Sequence, residues 1–395
     1  MSAVRELLGI PMDPGQRIDV NSGVARLSGV IWATHWVPET RRSDTVVLIV
    51  HPASNFMGHY LLEPLAEAGI PAVGLATRYL GNDQMLLMEN CVLDVGAAIR
   101  HLREELGYRR VILIGNSGGG GLAALYQSQA ERPTLTATPA GDPPDLTTAN
   151  LTPADELVML MAHPGRCVVY TESLDAAIVD EADPFDRDEE LDIFADRNGP
   201  PYSAEFLERY RAAQIARNRR ITAWARTRLD QLAALPTPVA ANGAGVDDLP
   251  FLVHGTAADP RALDATIEGV RESPTTLWGQ AWNANFSPVT LGHATSLRSW
   301  LSQWSYDESR ANAFTELPKV SAPVTVIYGS ADDAAFGSHA LRMYEAIGHD
   351  RRRLICLDGA NHYFIDQPGL RAELVDHLAE LALGRPLLKG HTHGW

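Results

Sequence analysis

Residues 111–121 read VILIGNSGGGG, and this stretch decides the fold of the chain. Its first four residues form an apolar run typical of a buried strand, and the glycines after it predict a tight turn into a helix. The turn holds Ser117 at the centre of a Gly-x-Ser-x-Gly pattern, residues 115–119. Glycine is needed on both sides of the serine because strand and helix approach each other too closely there for a side chain. We therefore expect Ser117 to stand above the edge of a sheet.

Short apolar strands alternate with amphipathic helical stretches around this junction. Strands are predicted at residues 46–50 and 72–75, and a helix is predicted over residues 87–106. This alternation is typical of parallel βαβ units. Residues 17–20 and 25–36 favour antiparallel strands that open the sheet, since no crossover helix fits between them. The sequence predicts an α/β fold with a mostly parallel twisted sheet flanked by helices.

The alternation stops after a strand predicted at residues 157–162 and resumes at residues 324–328. Charged helices and an aromatic-rich segment lie between these two strands. We therefore divide the chain into a first core segment (residues 1–164), an inserted, mainly helical cap (residues 165–316) and a second core segment (residues 317–395). A length of 395 residues is large for one compact domain and agrees with a long insertion.

Composition excludes several classes of partner. Acidic residues outnumber basic ones by 49 to 33, a formal net charge of -16, which repels phosphate backbones and anionic membrane surfaces. We expect neither nucleic acid nor a membrane as partner, and with no signal peptide or spanning apolar run the expected location is the cytoplasm. The cysteines, 3 in number, are too far apart for a disulfide framework or thiolate site, and no ligand cluster predicts a metal or cofactor. The sequence leaves a homo-oligomer open.

Candidate partners for Ser117 follow two late strands. A serine hydroxyl is a weak nucleophile unless a base accepts its proton, and in this kind of sheet the acid and then the histidine come later in the chain. The segment GSADD (residues 329–333) follows one predicted strand, and DGANH (residues 358–362) follows the next. Asp332 and His362 are the predicted acid and base. Asp333 is the main alternative acid, and Asp358 is a weaker one.

Four segments of the chain resemble the α/β-hydrolase superfamily: HPASNFMG (residues 51–58), GNSGG, GSADD and GANHYF (residues 359–364). The resemblance covers both core segments. It implies the α/β-hydrolase fold and a capped serine hydrolase with Ser117 as nucleophile, His362 as base and Asp332 as the residue that orients the histidine. The implied reaction is cleavage of a carboxylic ester or lactone of a small molecule through an acyl-serine intermediate, without a cofactor.

The resemblance also implies where an oxyanion would be held. The backbone N–H of Gly118, at the start of a predicted helix, should point at an oxyanion formed on the substrate. The superfamily usually has glycine after the histidine of the first loop, but this chain has Pro52, which carries no N–H. By position, the second donor is then the backbone of Ala53. We expect His51 to make structural hydrogen bonds beside the substrate pocket.

In the superfamily an insertion at this place forms a cap over the serine. Four of its side chains, Trp278, Trp282, His293 and Trp304, are assigned to the substrate pocket, with the core of the cap as the alternative place for the tryptophans. Aromatic walls would favour a substrate with an apolar or aromatic group. An arginine-rich helix at residues 203–235 predicts an exposed or acid-paired face, with binding of a substrate carboxylate as the alternative.

Two further functions stay open. The GNS turn at residues 115–117 also resembles C–C bond hydrolases of aromatic-ring degradation, which use the same triad but are usually shorter, with a smaller cap. A non-catalytic small-ligand receptor would keep the fold and the pocket. The intact set of Ser117, Asp332 and His362 argues against a receptor.

Overall fold

The computed structural model describes residues 2–13, 29–39, 43–235, 247–268, 276, 278–288 and 290–384. The strand expected at residues 17–20 lies outside these ranges, and the one expected over residues 25–36 corresponds to a strand that begins at Val30. None of the helices in these ranges combines the length and apolar character that crossing a bilayer requires.

The first core segment builds the part of the sheet that contains the serine turn. Apolar and β-branched runs form its strands, and the helices between them bury apolar residues that recur at helical spacing. In chain order its elements are β1 (Ala3–Pro11), β2 (Val30–Pro38), β3 (Thr45–Val50), α1 (Leu62–Glu67), β4 (Ala72–Ala76), α2 (Met88–Glu104), β5 (Arg110–Ser117), α3 (Gly119–Glu131) and β6 (Glu156–Ala162).

The insertion after β6 consists of helices and short β ribbons. Its elements are α4 (Arg166–Ser173), β7 (Ile178–Asp180), β8 (Asp183–Arg187), α5 (Ala204–Ala233), β9 (Pro250–Leu252), α6 (Pro260–Leu263), α7 (Ala281–Phe286), β10 (Ala294–Ser296), α8 (Leu297–Ser299), a π-helical turn (Trp300–Trp304) and α9 (Ala313–Glu316). β7 pairs with β8, and β9 pairs with β10, both antiparallel. In the described part of the insertion no strand joins the main sheet.

The second core segment completes the sheet with β11 (Val324–Gly329), α10 (Gly337–Ala346), β12 (Arg352–Leu357) and α11 (Pro368–Leu383). Over the described ranges the sheet has eight strands in the order β1-β2-β4-β3-β5-β6-β11-β12. β2 pairs antiparallel with β1 and β4, and the other neighbours pair in parallel. Because carboxyl ends of parallel strands meet at one edge, the loops after β5, β11 and β12 converge.

Side chains of β3 show how the sheet is covered on both faces. Val46, Leu48 and Val50 pack into one apolar cluster, and Val47 and Ile49 pack into another. The first cluster includes residues of α2, α3 and α10, and the second includes residues of α1 and α11. Each fully buried aliphatic side chain of this kind contributes about 1.5–3 kcal/mol to stability. Burial on both faces explains why β3 is an uninterrupted apolar run.

Six of the seven arginines of α5 are held by acidic groups or backbone carbonyls, and Arg228 donates to the side chain of Gln231. The ion pairs are Arg211 with Asp259, Arg217 with Glu181, Arg219 with Asp307 and Arg226 with Glu308. The side chains of Arg209 and Arg220 donate to the carbonyls of Glu190 and Ile178. The acid-paired face predicted for this helix is confirmed.

Candidate active site

Ser117 is the last residue of β5 and adopts an uncommon backbone conformation. Its φ is 53°, in the left-handed region that costs a side-chain-bearing residue on the order of 1–3 kcal/mol. The chain then enters α3 with Gly118 as its N-cap. A Cβ atom on Gly119 would lie 2.0 Å from the carbonyl oxygen of Val50, and one on Gly115 would lie 2.7 Å from the Cβ atom of Ala123. Neither position has room for a side chain, which is the reason for the glycines on both sides of Ser117.

His362 links Ser117 to Asp332. The Nε2 atom of His362 is 3.0 Å from Oγ of Ser117, and its Nδ1 atom is 2.8 Å from Oδ2 and 3.0 Å from Oδ1 of Asp332. The histidine and aspartate side chains are almost fully buried, at 2% and 0% exposure. The N–H groups of Ala334 and Ala335 donate to Oδ1 of Asp332, so the carboxylate is held in place from its own loop.

The alternative acids lie elsewhere. Asp333 lines the cavity beside Ser117 but has no hydrogen bond to His362 among the described contacts. Asp358 accepts a hydrogen bond from the hydroxyl of Ser330 at 2.9 Å, in an exposed position. Asp332 is thus the carboxylate that the loop after β11 brings to the histidine.

Further histidines surround this site and are held neutral. Burial lowers the pKa of His163 to about 3 and the pKa of His59 to about 4. Burial, together with the charge of Arg166 and the neighbouring histidines, lowers the pKa of His51 well below its usual value. At neutral pH these imidazoles carry no charge that would compete with His362 for its carboxylate.

His163 is a site residue that the sequence analysis missed. It directly follows β6, and its backbone N–H donates to the carbonyl of Ser117 at 2.8 Å. Its ring stacks on the ring of His362 with an interplanar angle of 25° and centroids 6.2 Å apart. Its Nε2 atom is buried without a hydrogen-bond partner in the described structure. The available signal was its place at the carboxyl end of a parallel strand, the edge where Ser117 also lies.

The cavity over Ser117 has a volume of about 470 Å³ and is lined by residues of both core segments and of the insertion. The predicted residues Ser117, Gly118, Ala53, His51, Trp278 and Trp304 line it. Trp304 also belongs to an apolar cluster within the insertion and is only 1% exposed. Apolar lining side chains include Phe56, Val169, Leu291 and Phe336.

Two pocket assignments need correction. Trp282 is 45% exposed and lies outside the cavity lining, because its indole packs against Phe194 and Phe286, with the Arg187 guanidinium 5.5 Å from its ring. His293 is also absent from the lining, and its Nδ1 atom forms a hydrogen bond with the carbonyl oxygen of Thr290 at 2.8 Å. Aromatic character alone did not distinguish exposed residues of the insertion from those that line the cavity.

Arg166 is a second lining residue that the sequence analysis missed. It is the first residue of α4, and its NH1 atom is 2.5 Å from Oε1 of Gln303 and 3.4 Å from Oδ2 of Asp83. Its guanidinium lies 4.8 Å from the centroid of the Trp304 ring. Burial lowers its pKa from the usual value. The cavity therefore has charged side chains, among them Arg166, Asp259 and Asp333, as well as apolar ones in its lining.

The loop between β3 and α1 supplies cavity-lining residues from the first core segment. His51 accepts hydrogen bonds at Nδ1 from the N–H groups of Ala53, at 3.1 Å, and Ser54, at 2.8 Å. The expected structural role of His51 agrees with these bonds. The N–H of Ala53 is already donated within its own loop, so its assignment to the oxyanion stays a prediction. Over the described residues, no group of three or more His, Cys, Asp or Glu side chains is arranged to hold a metal ion.

Solved structures show a similar fold. The α/β hydrolase GrgF from Penicillium sp. sh18 is 11% identical with a TM-score of 0.50, over 97% of this chain and 100% of that chain. The esterase domain of a Rhodothermus marinus protein is 12% identical with a TM-score of 0.46, over 96% and 98% of the two chains. A monoacylglycerol lipase of Paleococcus ferrophilus is 14% identical with a TM-score of 0.45, over 90% and 98%.

No family model and no curated protein sequence matches the chain. Since the three solved structures are only 11–14% identical to this chain, their likeness concerns the fold alone. The fold predicted from the sequence is confirmed. The order of the main sheet, the turn at Ser117 and the likeness to GrgF together show that the chain has the fold of the α/β-hydrolase superfamily.

Proposed function

We propose that the protein is a serine hydrolase that cleaves a carboxylic ester or lactone of a small apolar or aromatic molecule through an acyl-serine intermediate. The observation that carries this proposal is the continuous hydrogen-bonded chain from Ser117 through His362 to Asp332. Ser117, at one end of this chain, lies in a strained turn and lines the cavity. A nucleophile, a base and a residue that orients the base are the groups that acyl transfer requires.

In the acylation half-reaction, Nε2 of His362 accepts the hydroxyl proton as Oγ of Ser117 forms a bond to the substrate carbonyl carbon. The carbonyl π electrons move to oxygen, and the backbone N–H of Gly118 donates to that oxyanion. Asp332 stabilises the imidazolium through Nδ1. The oxyanion then collapses, the alcohol leaves with the proton from His362, and Ser117 carries the acyl group.

Deacylation repeats these steps with water as nucleophile. His362 takes a proton from the water as its oxygen attacks the acyl carbon, and returns it to Oγ of Ser117 when the acid leaves. The neutral state of His51 and His163 assists this step, because a positive charge beside His362 would disfavour its imidazolium.

The walls of the cavity favour a small, largely apolar substrate. A volume of about 470 Å³ falls in the range of small-molecule pockets. Phe56, Trp278, Leu291 and Phe336 supply apolar surface, and Arg166 supplies a polar wall. An acyl or alcohol group with an aromatic or branched apolar part can pack against these apolar side chains.

A panel of p-nitrophenyl esters, a lactone and a vinylogous diketone tests the proposal. We expect release of p-nitrophenol by the protein and loss of about 10⁴-fold or more in Ser117→Ala. Ser338→Ala, at an exposed serine in α10, is the matched control and should keep full activity. Cleavage of the diketone without cleavage of esters would replace the proposal with C–C bond hydrolysis. Binding of these compounds without turnover of any would support a receptor.

A further inference from the structure

We propose that the imidazole Nε2–H of His51 is the second donor of the oxyanion hole, in the place first assigned to the backbone N–H of Ala53. This inference rests on the proposed function of Ser117. It makes His51 a catalytic residue, because its ring would contact the reacting oxygen.

The hydrogen bonds of the loop determine which ring nitrogen of His51 carries the proton. Its Nδ1 atom accepts from the N–H groups of Ala53 and Ser54, so that nitrogen has a free lone pair and no proton. A neutral imidazole then carries its single proton on Nε2. Burial and the positive charge of Arg166 keep the ring neutral. The Nε2 atom is therefore a fixed donor.

The position of this donor follows from its contact with Gly118. A Cβ atom built on Gly118 would lie 2.6 Å from Nε2 of His51, so the nitrogen lies directly against the Cα atom of Gly118. The N–H of Gly118 is the other oxyanion donor, and both residues line the cavity beside Ser117. The imidazole is held there by Phe56, whose ring centroid is 5.1 Å away. Gly118 thus has a second reason to be glycine, since a side chain would displace His51.

The donor has no acceptor among the described residues. All hydrogen bonds that the structure gives His51 are made at Nδ1. His51 lines the cavity over Ser117, so an acceptor that arrives there with the substrate can bind this donor. A carbonyl oxygen that becomes negative during attack is such an acceptor.

Backbone donors of the loop are already used. Pro52 has no N–H, and the N–H groups of Ala53 and Ser54 both donate to the ring. These two N–H groups still influence the cavity through the imidazole. When Nε2–H donates to an oxyanion, Nδ1 becomes a better acceptor, so the hydrogen bonds at the two ring nitrogens strengthen each other. The arrangement replaces one backbone donor with a polarised ring.

Two substitutions separate catalysis by His51 from support of its loop. In His51→Asn the Oδ1 atom can replace Nδ1 as acceptor, while no group reaches the position of Nε2. In His51→Gln the amide nitrogen can reach the position of Nε2, while the acceptor for the loop is lost. We expect His51→Asn to lower kcat on a p-nitrophenyl ester by about 10²–10³-fold with KM little changed. His51→Gln should keep clearly more activity than His51→Asn.

The reverse order of activities, with His51→Asn almost as active as the unsubstituted protein and His51→Gln impaired, would overturn the proposal. It would mean that His51 serves only to hold its loop. Equal loss in both variants, with thermal melting unchanged, would also overturn it. If the unsubstituted protein cleaves no ester or lactone at all, the proposed function fails, which is a different result from either of these.

A trifluoromethyl ketone gives a measurement that does not depend on turnover. Its adduct with Ser117 carries an oxyanion, so its inhibition constant should rise about 10²-fold in His51→Asn and less in His51→Gln. In the unsubstituted protein, nitrogen-15 NMR of the imidazoles should show the His51 proton on Nε2 and a downfield shift of that proton when the adduct forms. A proton on Nδ1, or no shift, would contradict the proposal even if neither variant folds.

Discussion

The Nε2 atom of His362 lies 3.0 Å from the Oγ atom of Ser117, although 245 positions separate the two residues in the chain. They meet because β5 and β12 belong to the same sheet, and the loops after both strands open at the same edge. Most of the sequence between them is the insertion after β6, which adds no strand to this sheet over its described residues. The candidate site therefore depends on the sheet and tolerates a long insertion.

The hydrogen-bonded chain predicts non-additive effects of substitution. Ser117→Ala and His362→Ala should each lower kcat/KM on an ester by about 10⁴-fold or more, because either change stops proton transfer from the nucleophile. The kcat/KM of the double variant should lie within a small factor of that of the slower single variant. A double variant far slower than both would mean that the two residues act in separate steps.

Asp332 can be distinguished from the other candidate acids by amide substitution. Asp332→Asn should lower kcat/KM by about 10⁴-fold, because the amide no longer stabilises the imidazolium of His362. Asp358→Asn is the control, since Asp358 bonds only Ser330 among the described contacts. A large loss in the control with none in Asp332→Asn would reassign the acid.

Activity should depend on pH through a single proton. His362 must be neutral to accept the proton of Ser117, so the rate should fall when a decrease in pH protonates this imidazole. Burial lowers the pKa of His163 to about 3 and that of His59 to about 4, and lowers that of His51 well below its usual value, so these rings stay neutral at neutral pH. A plot of log kcat/KM against pH should have a limiting slope of about one. A flat profile would remove histidine from the role of base.

Local sequence was sufficient for the parts of the site that depend on strand ends. The apolar run before Ser117 and the glycines around it predicted the turn, and the two late strands predicted Asp332 and His362. The reason is physical: a buried strand must be apolar, and a close strand-to-helix turn must be glycine-rich. The same reasoning, applied to β6, would have identified His163.

The side-chain positions in the insertion were predicted less well because no repeating sequence pattern determines them. Trp282 and Trp278 are four residues apart and similar in type, yet one packs on the surface and the other lines the cavity. Arg166 follows a strand end and resembles any helix-starting arginine in sequence. Long-range contacts with Asp83 and Gln303 place it in the cavity wall, and nothing local encodes them.

The two tryptophans give a matched test of the cap. Trp278→Ala enlarges the cavity, and should shift the ratio of kcat/KM between bulky and short acyl esters by about tenfold in favour of the bulky ester. Trp282→Ala, outside the lining, should leave this ratio unchanged. Equal substrate profiles in both variants would mean that Trp278 is part of the core of the cap.

Glu89 makes stability depend on pH. Burial raises its pKa to about 7 despite the hydrogen bond from Ser302, against an ordinary value of 4.5. The folded state then holds a proton that the unfolded state releases between these values, so stability falls as pH rises from about 4.5 to 7. Glu89→Gln should be more stable than the unsubstituted protein by about 2–3 kcal/mol at about pH 8, with the gain vanishing near pH 5. Urea unfolding of both proteins at the two pH values measures this difference in the free energy of unfolding. An equal difference at both pH values would contradict the raised pKa of Glu89.

Covalent labelling tests the central claim, that Ser117 is an activated nucleophile, most directly. The protein is treated with a fluorophosphonate, and the adduct is located by mass spectrometry of the intact chain and its peptides. We predict one phosphonyl group per chain, on the peptide that contains Ser117, and no adduct in Ser117→Ala. Slow labelling in His362→Ala should follow from the loss of the base. An unlabelled protein, or a label on another residue that persists in Ser117→Ala, would contradict the account.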